Sequence, residues 1–260
     1  MIPKIIHYCW FGGKPLPELA VKCINSWKEF CPDYEIVRWD ESNTDLNEND
    51  YIKEAYESKK WAFITDYVRL KVLYEYGGIY MDTDVEVCKP LDPFLFERAF
   101  SGFENEHQIP TGIMAGEEGH PFFEKLLEYY NDRHFIKEDG TFDITTNVKT
   151  ITAIGLENGF IPNDTKQTFC DFTVYPHDYF CPKNFDTGEI YITERTVCIH
   201  HFDGSWKTRL DNIIWYIERC DKSKKTEYKI RWMLSLPLKV INEIKKNGFI
   251  NAIKVIKNKI

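Results

Sequence analysis

Asp82-Thr83-Asp84 places two carboxylates one residue apart, the hard oxygen ligands that Mg²⁺ or Mn²⁺ takes when bridging a diphosphate. Eighteen aspartates in 260 residues give about one such pair by chance, so the spacing alone is weak. Its position adds weight. The pair follows the apolar run Gly78-Ile79-Tyr80-Met81, and open α/β sheets hold ligands at the carboxyl ends of their strands. A second cluster is Cys198-Ile199-His200-His201-Phe202-Asp203-Gly204-Ser205-Trp206. A histidine there beside a metal carboxylate would complete a coordination shell, Gly204 and Ser205 could donate to phosphate oxygens, and Trp206 could cover them. The same stretch also reads as a strand end with one buried and one exposed histidine. Asp66 and Arg69 stand three apart on a helical segment and share a face, either as a local ion pair or as a carboxylate and guanidinium fork reaching sugar hydroxyls. Trp10, before Phe11-Gly12-Gly13, is either core or a stacking surface for a nucleobase.

The elements that must position these groups read as α/β. Lys4–Trp10 is a buried strand ended by Gly12-Gly13, and Leu19, Cys23, Ile24, Trp27 and Phe30 recur at helical spacing up to Cys31-Pro32. Tyr34–Trp39 is a second strand, and strand, helix, strand points to a parallel sheet. Residues 52–76 are helical until Gly77-Gly78. The strand after them alternates Asp82, Asp84 and Glu86 with Thr83, Val85 and Val87, which predicts three carboxylates on one face. Residues 101–120 look irregular, 122–130 and 144–156 helical, and 160–199 short strands. The simplest partition is one domain over 1–220 and a tail over 221–260.

Thirty-three Lys and Arg against 41 Asp and Glu give a formal net charge of −8, which argues against a general nucleic-acid binder. The charge is unevenly placed. Residues 222–260 hold eleven basic and two acidic side chains, a net of +9, leaving −17 on the other 221 residues. Eight cysteines without a C-x-x-C pair do not suggest a disulfide scaffold or a zinc ribbon. With no secretory leader pattern and no long apolar run, the expectation is a cytoplasmic chain that does not span a membrane.

Three segments together resemble a known group. Ile2-Pro3-Lys4-Ile5-Ile6-His7-Tyr8-Cys9-Trp10-Phe11-Gly12-Gly13, then Ala62-Phe63-Ile64-Thr65-Asp66-Tyr67-Val68-Arg69, then Tyr76–Asp84 are similar to the sugar-nucleotide region of DXD-containing glycosyltransferases. That group includes capsular-polysaccharide transferases, outer-chain mannosyltransferases and, more distantly, the large clostridial glucosylating toxins. The stretch Ile199–Trp206 resembles the capsular members. The resemblance implies a GT-A fold with a Rossmann-like nucleotide-binding sheet, and retaining transfer from a nucleotide sugar with Mn²⁺ or Mg²⁺. On it, Trp10 stacks on the base, Asp66 and Arg69 hold the donor sugar, and Tyr80, Asp82 and Thr83 contact ribose and sugar. Asp84 ligates the metal with His200 or His201, and Ser205 and Trp206 contact the diphosphate. Asn147 matches a polar position near the anomeric carbon, so Asp66, Arg69, Asp82 and Asn147 form the catalytic set.

The donor expectation is UDP-galactose or UDP-glucose, with GDP-mannose as the alternative. The expected acceptor is a lipid-linked glycan in capsular, exopolysaccharide or surface glycan synthesis, expected to meet the loop 103–113 through Glu104, Asn105, His107 and Thr111. In the tail, Pro237 reads as a helix start, and Val240, Ile241, Ile244, Phe249, Ile253, Ile256 and Ile260 fall at helical spacing among lysines. Such a basic amphipathic helix either packs on the acidic body or lies on an anionic membrane, here the inner face of the cell membrane. The competing classes are a metal-dependent phosphohydrolase, which needs neither Trp10 nor the Asp66/Arg69 pair, and a non-catalytic glycan-binding protein.

Overall fold

The computed structural model describes residues 1–204, 209–220 and 223–257. Its elements in chain order are β1 (Ile5–Cys9), α1 (Glu18–Phe30), β2 (Glu35–Trp39), α2 (Asp50–Glu57), α3 (Trp61–Tyr76), β3 (Gly78–Met81), β4 (Val85–Val87), β5 (Ala99–Gly102), β6 (Ile113–Gly116), α4 (Pro121–Glu128), α5 (Asn147–Glu157), β7 (Gln167–Phe169), β8 (Phe172–Tyr175), α6 (His177–Phe180), β9 (Cys198–His200), α7 (Arg209–Glu218) and α8 (Lys225–Lys257).

Seven strands form one sheet in the order β2-β1-β3-β6-β5-β8-β7. The α/β expectation holds, but the sheet is mixed. β1 runs parallel to β2 and β3, and β5 to β8, whereas β6 is antiparallel to both its neighbours and β7 to β8. The central strand β6 falls in the stretch read as irregular, because four residues, the last of them Gly116, carry too little periodicity to register.

Strand alternation divides the core in two. Ile6, Ile79, Met81, Ile113 and Ala115 face one apolar cluster together with Trp27 of α1 and Val85 of β4. Cys9, Tyr80 and Met114 face the other, with residues of α2, α3, α4 and α5. Tyr80 therefore looks toward α3, and Asp82, two residues on, shares its side.

The turn from α3 into β3 requires glycine. Gly77 and Gly78 have φ of +64° and +94°, and a Cβ on Gly78 would stand 2.7 Å from the Ile5 carbonyl oxygen. Buried His7 anchors this turn: its Nε2 bonds the Gly77 carbonyl at 2.9 Å and its Nδ1 accepts from the Trp39 indole at 3.1 Å. Burial pushes its pKa down to about 4, against the opposing pull of the Gly77 carbonyl, so the ring is neutral.

The predicted single strand through Glu86 is broken. A bond from Val85 N to the Asp82 carbonyl, 3.0 Å, closes a turn, and the chain leaves the large sheet to pair β4 with β9. Period two is lost at that turn, so the three carboxylates do not share a face.

The described residues divide into two compact units, Met1–Lys183 with Tyr191–Phe202, and Asn184–Ile190 with Asp203–Ile260. In the second, α7 and α8 lie antiparallel. Asn242 donates to Asp211 at 2.6 Å, while near the other end of α7 Ser235 and Lys239 both meet Glu218. Pro237 does not start a helix but lies inside α8, which begins at Lys225; it sits on an exposed position, with Ser235 and Asn242 on the buried side. No helix among the described residues is long and apolar enough to cross a membrane.

Candidate active site

The site lies where β3 ends. β1 and β3 are parallel, so Trp10, after β1, and Asp82, after β3, stand at the same edge of the sheet. Asp82, Asp84 and His200 each offer a ligand atom within 4.8 Å of the others'. They come from three places: Asp82 just past β3, Asp84 just before β4, and His200 at the end of β9. The β4–β9 register, with Val85 opposite His200, brings the last two together.

His200 is buried, and its Nε2 is 3.4 Å from Asp84 Oδ1. That spacing is long for a charge-assisted hydrogen bond and close to the separation of two atoms sharing one small cation at about 2.1 Å each. His200 Nδ1 is buried without a hydrogen-bond partner among the described residues. Two carboxylates and an imidazole nitrogen suit Mn²⁺, and Mg²⁺ less well because of the nitrogen. The residues thus fit a divalent cation.

His201 points elsewhere. Its Nε2 is 2.8 Å from Glu86 Oε2, which also pairs with Lys22 at 2.8 Å. Successive residues at a strand end face opposite sides, so His200 joins Asp82 and Asp84 while His201 joins Glu86.

Arg69 organises the other half of the site. It is buried on α3, with Nη2 3.2 Å from Asp66 Oδ1, Nη1 3.3 Å from Asp82 Oδ1, and a 2.6 Å bond from Nη1 to the Thr111 carbonyl. Its guanidinium stands 4.8 Å over the Tyr80 ring, and the Tyr80 hydroxyl donates to Asp82 at 2.8 Å. Burial works against the Arg69 charge, but Asp82, Tyr80 and Asp66 outweigh it and raise its pKa. Burial pushes the Asp66 carboxyl up to about 6, with Arg69 opposing. Burial likewise holds the Tyr80 phenol well above its ordinary pKa, so it stays a donor.

Asn147, the first residue of α5, is buried; its amide donates to the Asp66 carbonyl at 2.8 Å and its oxygen accepts from Tyr130 at 3.0 Å. Asp66, Arg69, Tyr80, Asp82, Asp84, Asn147 and His200 therefore form one connected region. Thr83 is half-buried in the turn, and Trp10 is half-buried with its indole donating to the Lys14 carbonyl at 2.6 Å. Of the residues expected to meet the acceptor, Asn105 and His107 are exposed, and Thr111 meets the cluster through its backbone carbonyl. Ser205 and Trp206 lie outside the described residues.

Three contributors carried no clear signal in the sequence. A Cβ on Gly112 would stand 2.7 Å from the His200 ring, so glycine is what lets the imidazole sit there. Glu104, grouped only with the loop, has its carboxyl pKa pushed up by burial and by Asp82, with His200 opposing. Phe202 takes a left-handed φ of +52°, placing its ring 4.1 Å from that of His200.

Residues 17–101, which include the Asp82-Thr83-Asp84 turn and the Asp66/Arg69 pair, match the family described as "Glycosyltransferase sugar-binding region containing DXD motif". This segment belongs to that glycosyltransferase family. Among curated relatives, inositol phosphoceramide mannosyltransferase 3 of Schizosaccharomyces pombe is 38% identical over 130 residues, 48% of this chain and 36% of the relative. Inositol phosphoceramide mannosyltransferase 1 of the same organism is 27% identical over 237 residues, 85% of this chain and 67% of the relative. The chain thus spans about a third of the first relative's length. Among solved structures, the apo-form glycosyltransferase GlyE of Streptococcus pneumoniae has a TM-score of 0.45 at 11% identity, over 83% of this chain and 60% of that one. The DXD of the family is Asp82-Thr83-Asp84 in this glycosyltransferase segment, and both aspartates belong to the three-residue cation cluster.

Proposed function

We propose that the chain is a metal-dependent, retaining glycosyltransferase of GT-A type that moves a hexose from a nucleoside-diphosphate sugar to a glycan or glycolipid acceptor. The observation that carries this reading is the convergence of Asp82, Asp84 and His200 with the buried Arg69–Asp66 pair at one strand end. A phosphohydrolase needs the first set but not the second.

Asp84 and His200 would hold the cation, with Asp82 beside them and within reach of the sugar. A bound Mn²⁺ or Mg²⁺ would supply Lewis-acid stabilisation to the departing diphosphate. Arg69 is fixed on three sides and holds Asp66 and Asp82 in place, while Asp66, with Asn147 on its carbonyl, presents its carboxyl to sugar hydroxyls. Trp10 offers a half-exposed ring at the same sheet edge for the base. Transfer proceeds on one face, the leaving phosphate taking the acceptor proton; a glycosyl group trapped covalently on any side chain would overturn this.

The names of the relatives favour a nucleotide-linked mannose over the UDP-galactose or UDP-glucose expected from the resemblance, and a lipid-linked acceptor. The loop 103–113 receives that acceptor, and the basic tail holds the chain at an anionic membrane surface.

Thermal unfolding with GDP or UDP, each with and without Mn²⁺, tests the reading. One nucleotide should raise the melting temperature only when Mn²⁺ is present, and Asp84→Asn should abolish that shift without lowering the ligand-free transition appreciably. At a hundredfold excess over Kd the stabilisation is about 3 kcal/mol, roughly 5–10 °C for a chain of this size. A metal-independent shift, or none with either nucleotide, would sink it.

A further inference from the structure

The α7–α8 unit exposes apolar side chains that a helix pair has no reason to leave in water. Along α8, Ile230, Met233, Leu234, Pro237 and Ile241 fall at intervals of three and four, hence along one stripe, and all are exposed. Leu234 is 66%, Met233 59% and Ile230 55% exposed, and Tyr216 of the neighbouring α7 is 71% exposed. Among the described residues, six of the eighteen exposed large hydrophobic side chains lie on α7 and α8. A patch this concentrated marks a contact surface.

Between the helices lies an open groove of about 920 Å³, lined by Tyr216, Ile217, Ile230 and Leu234, with Lys224 and Lys225 among its remaining residues. Two acidic groups of the hairpin are paired with cations: Glu227 with Arg231 at 2.9 Å and Glu218 with Lys239. Lys224, Lys225 and Lys229 are exposed, and none has a carboxylate partner among the described residues.

We propose that this face, an apolar stripe beside exposed lysines, seats the chain on an anionic lipid bilayer. Apolar side chains enter the boundary between headgroups and acyl chains while the lysines meet lipid phosphates. A second copy is a poorer occupant, because a contact of this face with itself would gather two sets of Lys224, Lys225 and Lys229 at one interface. The proposal rests on the membrane role given above to the tail and names the surface that performs it. That surface is the α7–α8 face rather than the last turns of the chain.

Co-sedimentation of the full chain with phosphatidylcholine vesicles, with and without phosphatidylglycerol, tests it. Wild type should bind the anionic vesicles and lose binding as salt rises. Ile230→Ser/Leu234→Ser should lower partitioning roughly tenfold or more at constant salt, and Lys224→Glu/Lys225→Glu should lower it similarly and flatten the salt dependence. Circular dichroism of each variant should match wild type. Equal binding of wild type and Ile230→Ser/Leu234→Ser, equal binding to neutral vesicles, or a wild-type dimer in light scattering that the same variant dissolves would each overturn it. The Mn²⁺-dependent nucleotide shift should survive in every variant; its absence from wild type while vesicle binding persists would refute the donor site and leave this surface standing.

Discussion

Arg69 shows how one side chain can hold a site in place. Its fork meets two carboxylates and a backbone carbonyl at once, a geometry that an ammonium cannot reproduce. Arg69→Lys keeps the charge but loses at least two of these bonds. Turnover of the donor, kcat/KM, should fall by about 10²-fold, which corresponds to roughly 3 kcal/mol for hydrogen bonds to charged groups. Gly112 acts through what it lacks. Gly112→Ala inserts a methyl 2.7 Å from the His200 ring, and because the ring is buried it must turn away from Asp84. Calorimetric Mn²⁺ affinity should drop at least tenfold, while the fold loses only the ~1–3 kcal/mol of an overpacked position. Asp82, Asp84 and the Asp66/Arg69 pair were legible in sequence because charged residues at fixed spacing in an apolar context stand out. Gly112 was not, since nothing in a sequence says which ring will approach a glycine. The choice between His200 and His201 stayed open for a similar reason: adjacent residues point to opposite sides, and the turn at Asp82–Val85, which no spacing shows, is what swings the Asp84 carboxylate to His200 although its backbone pairs with His201.

Elements built on local signals were readable, and those set by partners were not. β1, α1, β2 and α3 follow from runs and helical spacing, whereas β6, four residues long and central in the sheet, exists because β3 and β5 flank it. The same limit explains β4. An unbroken alternation from Asp82 to Glu86 describes one strand equally well as a turn followed by a new pairing. His7 ties three elements, joining β1 to β2 through Trp39 and to the end of α3 through Gly77. An unfolded histidine takes a proton near pH 6.5, but in the folded chain the pKa is about 4, so the unfolded state binds more protons between those values. Stability is therefore full above pH 6.5 and lost as pH falls through 6.5 toward 4, by about 3 kcal/mol for complete protonation. In His7→Gln, denaturant melts at pH 7 and pH 4.5 should differ by less than in wild type. An unchanged difference would mean that other groups set the acid limit.

At the scale of the molecule, the mean charge of −8 hides the two functions assigned to its parts. Residues before 222 carry −17, and some of that negative charge converges where a cation and a diphosphate would complete it. The +9 that follows accompanies an exposed apolar stripe. Composition registered the imbalance, but not that the tail's apolar residues face outward along one line, because that depends on α7 covering the other side of α8. The cation cluster also joins parts of the chain that are far apart. Asp82 follows β3 of the large sheet, whereas Asp84 precedes β4 and His200 ends β9 in the two-stranded pair, so an ion there would tie position 82 to position 200 across 118 residues. It would act as a clasp that can be unfastened. Chelation should speed hydrogen exchange at the β4 and β9 amides by about tenfold or more and leave β1 and β3 unchanged. Were the ion to leave with a spent nucleotide, the segment that carries His200 would loosen with it, and release of the used donor would be linked to a brief opening of the fold.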